Sequence, residues 1–362
     1  MDRIGDGGAW GIPVKVTTCP RAGRYVRFRA GSRCGEHRGG GRRGFRGSGG
    51  WSAGCSGMWS KGIERMGAAP VVRILVGVAG RSLSVMVGMV AGARDAFDER
   101  FRDTETGWQP LALGVSGGAI GAVAAATGMR REQLRQLAVE HPESMVMGKR
   151  NFGSMLRNRV LYPHARVHDL ARAIAGDRTF ADFRLSDPTD PTASSLLIPV
   201  YSARFGNLLL PRDLPKLGRT DMPLVEALVA ATRIPGMLPA AAGLDDVYDG
   251  GCEYRVPHEV FAPHPSVILD LYGPEPHDSR GGLLFPLLGS GLPAVRHRPR
   301  PFQDPRLRES TIFAGMPYGS ALGAPSADAG ELFDRGYEIA VRWLRARSPE
   351  QIRSLTAAVP TS

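Results

Sequence analysis

The run that most constrains how this chain can fold is PLALGVSGGAIGAVAAAT, residues 110–127, where an apolar segment passes through Gly114-Val115-Ser116-Gly117-Gly118 into a stretch of small residues. Residues 110–115 read as a buried strand and 117–127 as a helix. A chain that turns this sharply needs small residues on either side of the apex, because side chains there would collide. The apex residue, Ser116, is then raised above the sheet with its Oγ facing the N-terminus of the next helix, where aligned N–H dipoles favour negative charge. G-x-S-x-G alone is a weak pattern in a chain with 47 Gly. Its place between strand and helix makes Ser116 a candidate nucleophile, with Gly114, Gly117 and Gly118 as its structural support.

The surroundings extend the same pattern. VVRILVGV at 71–78 is a short, nearly continuous apolar run of the kind that buried parallel strands carry, and 82–100 reads as a helix whose charge gathers at its end. A further helix is predicted over 129–141, with Leu134, Leu137 and His141 at spacings of three and four. Strands are predicted at 195–201 and 266–272, with Pro199 pushing the first toward an edge or a bulge. Asp221 is positioned to cap a helix that has Pro223 in its first turn, carries Leu224, Ala227, Leu228 and Ala231 on one face, and stops at Pro235. Asp328 with Glu331 three residues on opens a last helix striped by Phe333, Tyr337, Val341 and Leu344. The alternation predicts a three-layer α/β/α domain with a mostly parallel central sheet over 70–347 and a C-terminal tail at 348–362. The Pro- and Gly-rich stretch 273–305 reads as a lid or surface loop.

Residues 1–69 are different in kind. The segment 1–65 holds 13 Lys and Arg against 4 Asp and Glu, and Cys19, Cys34 and Cys55 have spacings that fit neither a zinc site nor a redox pair. Its composition cannot bury enough apolar area to offset chain entropy, so a disordered N-terminal tail is expected. Met58 or Met66 would serve as a start closer to the first strand. An Arg/Gly-rich segment can bind RNA or anionic lipid, but no specific nucleic-acid partner is expected, since the rest of the chain is nearly neutral. Cys252 is assigned no chemistry. The absence of an apolar signal region leads to a cytoplasmic expectation, with peripheral membrane contact, or export by a route that needs no cleavable N-terminal signal, as the alternatives.

A serine nucleophile needs a base. The order serine, acid, histidine would be met by Asp249 followed by His258, His264, His277 or His297, but residues 70–115 leave room for only one strand and helix before Ser116, fewer than an α/β-hydrolase places there. A second pattern bears on the choice. Residues 231–239, ATRIPGMLP, are followed closely by Asp249-Gly250-Gly251 and then Pro257. This A-x-x-x-P-x-x-x-P turn, the D-G-G and the later proline resemble the patatin-like phospholipase family over roughly 71–344. The resemblance implies a dyad of Ser116 as nucleophile and Asp249 as proton acceptor without histidine, with Gly250 and Gly251 completing the motif. It further implies an acyl-enzyme, a lipid or other acyl ester as substrate, and neither cofactor nor metal.

In that family the turn after the first strand, G-G-G-x-R-G, forms the oxyanion hole. Here it is Gly77-Val78-Ala79-Gly80-Arg81-Ser82, which keeps the first glycine and the arginine but replaces glycines at Val78, Ala79 and Ser82. A β-branched residue where φ > 0 is required would impair the site. The alternative reading is therefore a catalytically impaired protein of patatin fold that binds lipid or a protein partner. Tyr254 and Arg255 depart from the family as well. His164 and His168 have the spacing of a metal pair on a helix, but no third ligand is in place.

Overall fold

The computed structural model describes residues 71–79, 82–102, 107–185, 193–252, 256–261, 267–273, 305–316 and 328–356. The tail at 1–69, Gly80, Arg81, Tyr254, Arg255 and nearly all of the 273–305 stretch lie outside them.

The chain begins with β1 (Val71–Val76), which sends Val72, Ile74 and Val76 into one apolar cluster and Leu75 into another on the opposite face. Burial on both faces is why this strand reads as a continuous apolar run. Next come α1 (Leu83–Arg100) and β2 (Gln109–Gly114), parallel to β1 with Gly114 opposite Val76. Five helices follow: α2 (Gly117–Thr127), α3 (Arg131–Glu140), α4 (Glu143–Met147), α5 (Phe152–Asn158) and α6 (Val167–Ala175). The hairpin β3 (Leu196–Ser202) and β4 (Gly206–Leu210) leads to α7 (Leu224–Ala231), β5 (Val247–Asp249) and β6 (Val267–Asp270). Among the described residues the chain closes with α8 (Pro305–Glu309), β7 (Thr311–Phe313), α9 (Ala329–Arg345) and α10 (Pro349–Thr356).

The sheet runs β4-β3-β2-β1-β6-β7, with β5 also paired to β3. Strands β1, β2, β3, β6 and β7 are parallel, and β4 and β5 lie antiparallel to β3. The fold is thus α/β with a mostly parallel central sheet. Among the described residues the two faces are covered differently. One face meets α1, α2, α7 and α9, while Leu111, Leu113, Leu197 and Ile268 on the other pack under the short turn His258–Phe261 and Leu307 of α8.

α1 is buried on most of its circumference and crosses α9 at close range. A Cβ at Gly88 would lie 2.1 Å from Phe333 O, and one at Gly336 would lie 2.1 Å from Val85 O. Backbones this near leave no room for any side chain at the crossing.

Three local expectations change. Pro199 sits inside β3, with β4 along one edge and, along the other, β2 up to Leu197 and β5 from Val200 on. Pairing with β2 ends at Leu197, and opposite Pro199 the Leu209 N–H donates to Asp213 Oδ2 (2.8 Å). Neither ladder therefore calls on the N–H that proline lacks. Helix α7 is capped at Pro223, while Asp221 accepts a hydrogen bond from its neighbour Met222 N–H (2.9 Å). The expected C-terminal tail contains α10, whose Ile352 is buried in the main cluster. By contrast, Asp328 does cap α9, accepting from Gly330 N–H (2.7 Å) and Glu331 N–H (3.3 Å).

Candidate active site

The turn between β2 and α2 is packed through its glycines. A Cβ at Gly114 would lie 2.2 Å from Gly118 O, and one at Gly118 would lie 2.1 Å from Gly77 O. Both glycines are required by close approach of backbone to backbone. Ser116, between them, has φ 59 and ψ −132, one of only two non-glycine residues with positive φ among the described residues. Such a conformation costs energy and persists only where the surroundings impose it. It presents Oγ at the N-terminus of α2, where Gly118 N–H and Ala119 N–H bond back to Val115 O and Ser116 O (2.8 and 2.9 Å).

The acid arrives through the sheet. Because β3 lies beside β2, and β5 pairs with β3 with Asp249 opposite Val200, residues 133 positions apart in sequence meet. Ser116 Oγ donates to Asp249 Oδ2 at 2.5 Å, and Gly251 N–H donates to Asp249 Oδ1 at 2.7 Å. A Cβ at Gly250 would lie 2.4 Å from Pro199 O, and one at Gly251 would lie 3.0 Å from Asp249 Oδ1 and 3.2 Å from Val78 Cγ2. Gly250 is therefore required by close approach to backbone, whereas a side chain at Gly251 would crowd the Asp249 carboxylate and Val78. Asp249 is 3% exposed, and burial pushes its pKa up to about 7, against the opposing pull of its bonds from Ser116 and Gly251.

One residue that sequence reasoning passed over holds the aspartate in place. Arg233 O accepts the Asp249 N–H (2.9 Å), and its guanidinium gathers the carbonyls of Leu244 (3.2 Å), Asp245 (2.7 Å) and Val247 (2.9 Å) while lying over the Tyr248 ring. It ties the end of α7 to the loop that delivers Asp249. Its signal in the sequence is only its place inside the ATRIPGMLP run.

The stretch after β1 behaves differently from its glycine-rich counterpart. Gly77 N–H donates to Leu269 O (2.9 Å) and is committed to the sheet. Val78 and Ala79 both have negative φ, so a side chain at either adds no backbone strain. Among the described residues, the N–H groups of Val78, Ala79 and Gly117 donate to no protein acceptor. Gly80 and Arg81 lie outside the described residues.

A pocket of about 70 Å³ opens from Ser116 and Gly117 and is walled by Leu83, Ile120, Val146, Met147, Val167, Leu170, Ile234, Met237 and Leu238, with Glu143 and Thr232 as its polar members. Ile234, Met237 and Leu238 come from the same ATRIPGMLP run.

Among the described residues no histidine joins the site. His258 Nδ1 lies 3.3 Å from Val256 O in its own turn, and His264, His277 and His297 lie outside the described residues. His164 precedes α6 and His168 is within it, so the two do not share a helix. Among the described residues no group of three or more His, Cys, Asp or Glu converges as metal ligands would.

No family model matches the chain, and no curated protein does. Among solved structures it is similar to the crystal structure of the type III effector protein ExoU, with 12% identity and a TM-score of 0.32 over 76% of this chain. It spans 53% of that protein's length. At that similarity neither fold nor activity carries over, and the site is read from its own geometry.

Proposed function

We propose that this protein is a serine acyl-ester hydrolase in which Ser116 attacks the ester carbonyl and Asp249 takes its proton. The observation that carries the reading is the 2.5 Å bond from Ser116 Oγ to a buried carboxylate, beside an apolar pocket that ends on the same serine. A carboxylate in water is too weak a base for this task, and desolvation brings its pKa to about 7, where a general base works well near neutral pH.

In the first half-reaction Oγ bonds to the carbonyl carbon as its proton moves to Asp249 Oδ2. The tetrahedral oxyanion then collapses, the alcohol leaves with that proton, and an acyl group remains on Ser116. Water, deprotonated by the same carboxylate, releases the acid in the second half. The N–H groups of Val78, Ala79 and Gly117 are the donors this reading assigns to the oxyanion, with the N-terminus of α2 adding its dipole. The acyl chain occupies the pocket, where Met147 and Met237 can yield to longer chains. The patatin-type sequence pattern adds lipid esters as the substrate class.

The test is turnover of p-nitrophenyl butyrate and octanoate. The wild type is expected to hydrolyse both, and Ser116→Ala to lose at least ~10³-fold in kcat. Equal rates for the two proteins would refute the reading.

A further inference from the structure

Between α4 and α6 the chain leaves the core and returns. The base of this excursion is firmly held: Asn151 N–H donates to Leu161 O (2.8 Å), Leu161 N–H to Gly236 O (3.0 Å) and Tyr162 N–H to Met237 O (2.9 Å), while Arg150 Nε donates to Tyr162 Oη (3.0 Å). These bonds join it to the wall of the Ser116 pocket, which Met147, Val167 and Met237 line. The tip has the opposite character. α5 buries none of its residues, although Asn151 caps it by accepting from Ser154 N–H (2.8 Å). Phe152 and Leu156, one helical turn apart and so on one face, are 62% and 82% exposed.

Single exposed apolar residues need no explanation, but two bulky ones on a helix that contributes nothing to the core do. The charges around them are of one sign. From residue 144 to 168 the chain carries Lys149, Arg150, Arg157, Arg159 and Arg166 and no acidic residue. Lys149, Arg157 and Arg159 are exposed and, among the described residues, meet no carboxylate. An apolar tip framed by cations complements a membrane surface bearing anionic lipid, with phosphates meeting the cations and acyl chains meeting Phe152 and Leu156.

We propose that residues 149–159 dock the protein on an anionic lipid surface, with the mouth of the Ser116 pocket beside the bilayer. The orientation rests on the acyl-hydrolase reading, whereas the docking itself requires no catalysis.

The experiment is co-sedimentation of the full chain carrying Ser116→Ala, which leaves lipid intact, with phosphatidylcholine vesicles with and without phosphatidylglycerol. In that background, Phe152→Ser with Leu156→Ser, and separately the triple change Lys149→Gln, Arg157→Gln, Arg159→Gln, are each expected to weaken binding to the mixed vesicles roughly tenfold or more. Unchanged melting temperatures would show that the variants fold. Arg150 is left in place because it bonds Tyr162. Binding retained at full strength by both variants would overturn the proposal and assign any vesicle affinity to another segment, such as the basic residues 1–65. Binding independent of phosphatidylglycerol would overturn it also, and no binding at all would leave α5 to a protein partner. Loss of ester turnover by the wild type with vesicle binding intact would count against the catalytic reading alone.

Discussion

Among the described residues Asp249 has no cation beside it, and its side-chain partners are one hydroxyl and one amide. Its raised pKa ties the proposed catalysis to stability. Between the ordinary value of 3.8 and about 7, the folded protein keeps a proton that the unfolded chain has released, so this group's contribution to stability falls as pH rises across that window. Above it, the buried charge costs the folded state in full. Asp249→Asn is therefore expected to raise Tm by several degrees at pH 8 and by much less at pH 4, while ester hydrolysis falls by ~10³-fold or more. A Tm change of equal size at both pH values would contradict the burial argument. The local sequence made Ser116 and Asp249 legible because each sits in a short pattern whose glycines are needed for close approach. Arg233 was not legible, since its role exists only where three carbonyls from the 244–247 loop converge. The strain feared at Val78 is absent because the chain passes it at negative φ, which residue identity alone does not reveal.

Among elements, periodicity located α1, α2, α3, α7 and α9 and strands β1, β2, β3 and β6 to within a few residues, but it passed over α4 to α6, β4, β5 and β7 and did not show how helices cross. α1 and α9 meet through Gly88, Gly92 and Gly336, where the other helix's carbonyls occupy the space of a Cβ. Gly336→Val is expected to lower Tm by well over 5 °C or to leave the protein insoluble, since neither backbone can retreat without opening the core, a cost of roughly 3 kcal/mol or more. A near-normal melt, read by circular dichroism, would show that the crossing adapts. Pro199 teaches a related lesson. A proline within a strand reads as an edge signal, yet it is tolerated inside this sheet because one ladder has ended and the other does not need its N–H. Hydrogen-bond demand is a property of the neighbours, and the sequence of one strand does not contain it.

For the whole molecule, the sheet is the device that assembles the site. Strand order places β2 beside β3 and lets β5 extend the far end of β3, so that the serine from one connection and the aspartate from another meet above the parallel strands. Alternating strands and helices foretold a layered α/β fold but not the strand order, since that depends on contacts between distant segments. The pocket was likewise invisible, because its walls come from α1, α2, α4, α6 and the segment after α7. On the proposed reading, this arrangement makes Ser116 a nucleophile with Asp249 as its base. The most direct measurement is the rate of covalent labelling by a fluorophosphonate, with the modified residue identified by mass spectrometry, for wild type and Asp249→Asn from pH 5 to pH 9. The expected result is a label on Ser116 alone, a wild-type rate that climbs with pH and levels off above about pH 7, and a rate at least ~10²-fold lower in Asp249→Asn. A folded wild type whose Ser116 stays unlabelled, or an Asn variant labelled as fast as the wild type, would contradict it.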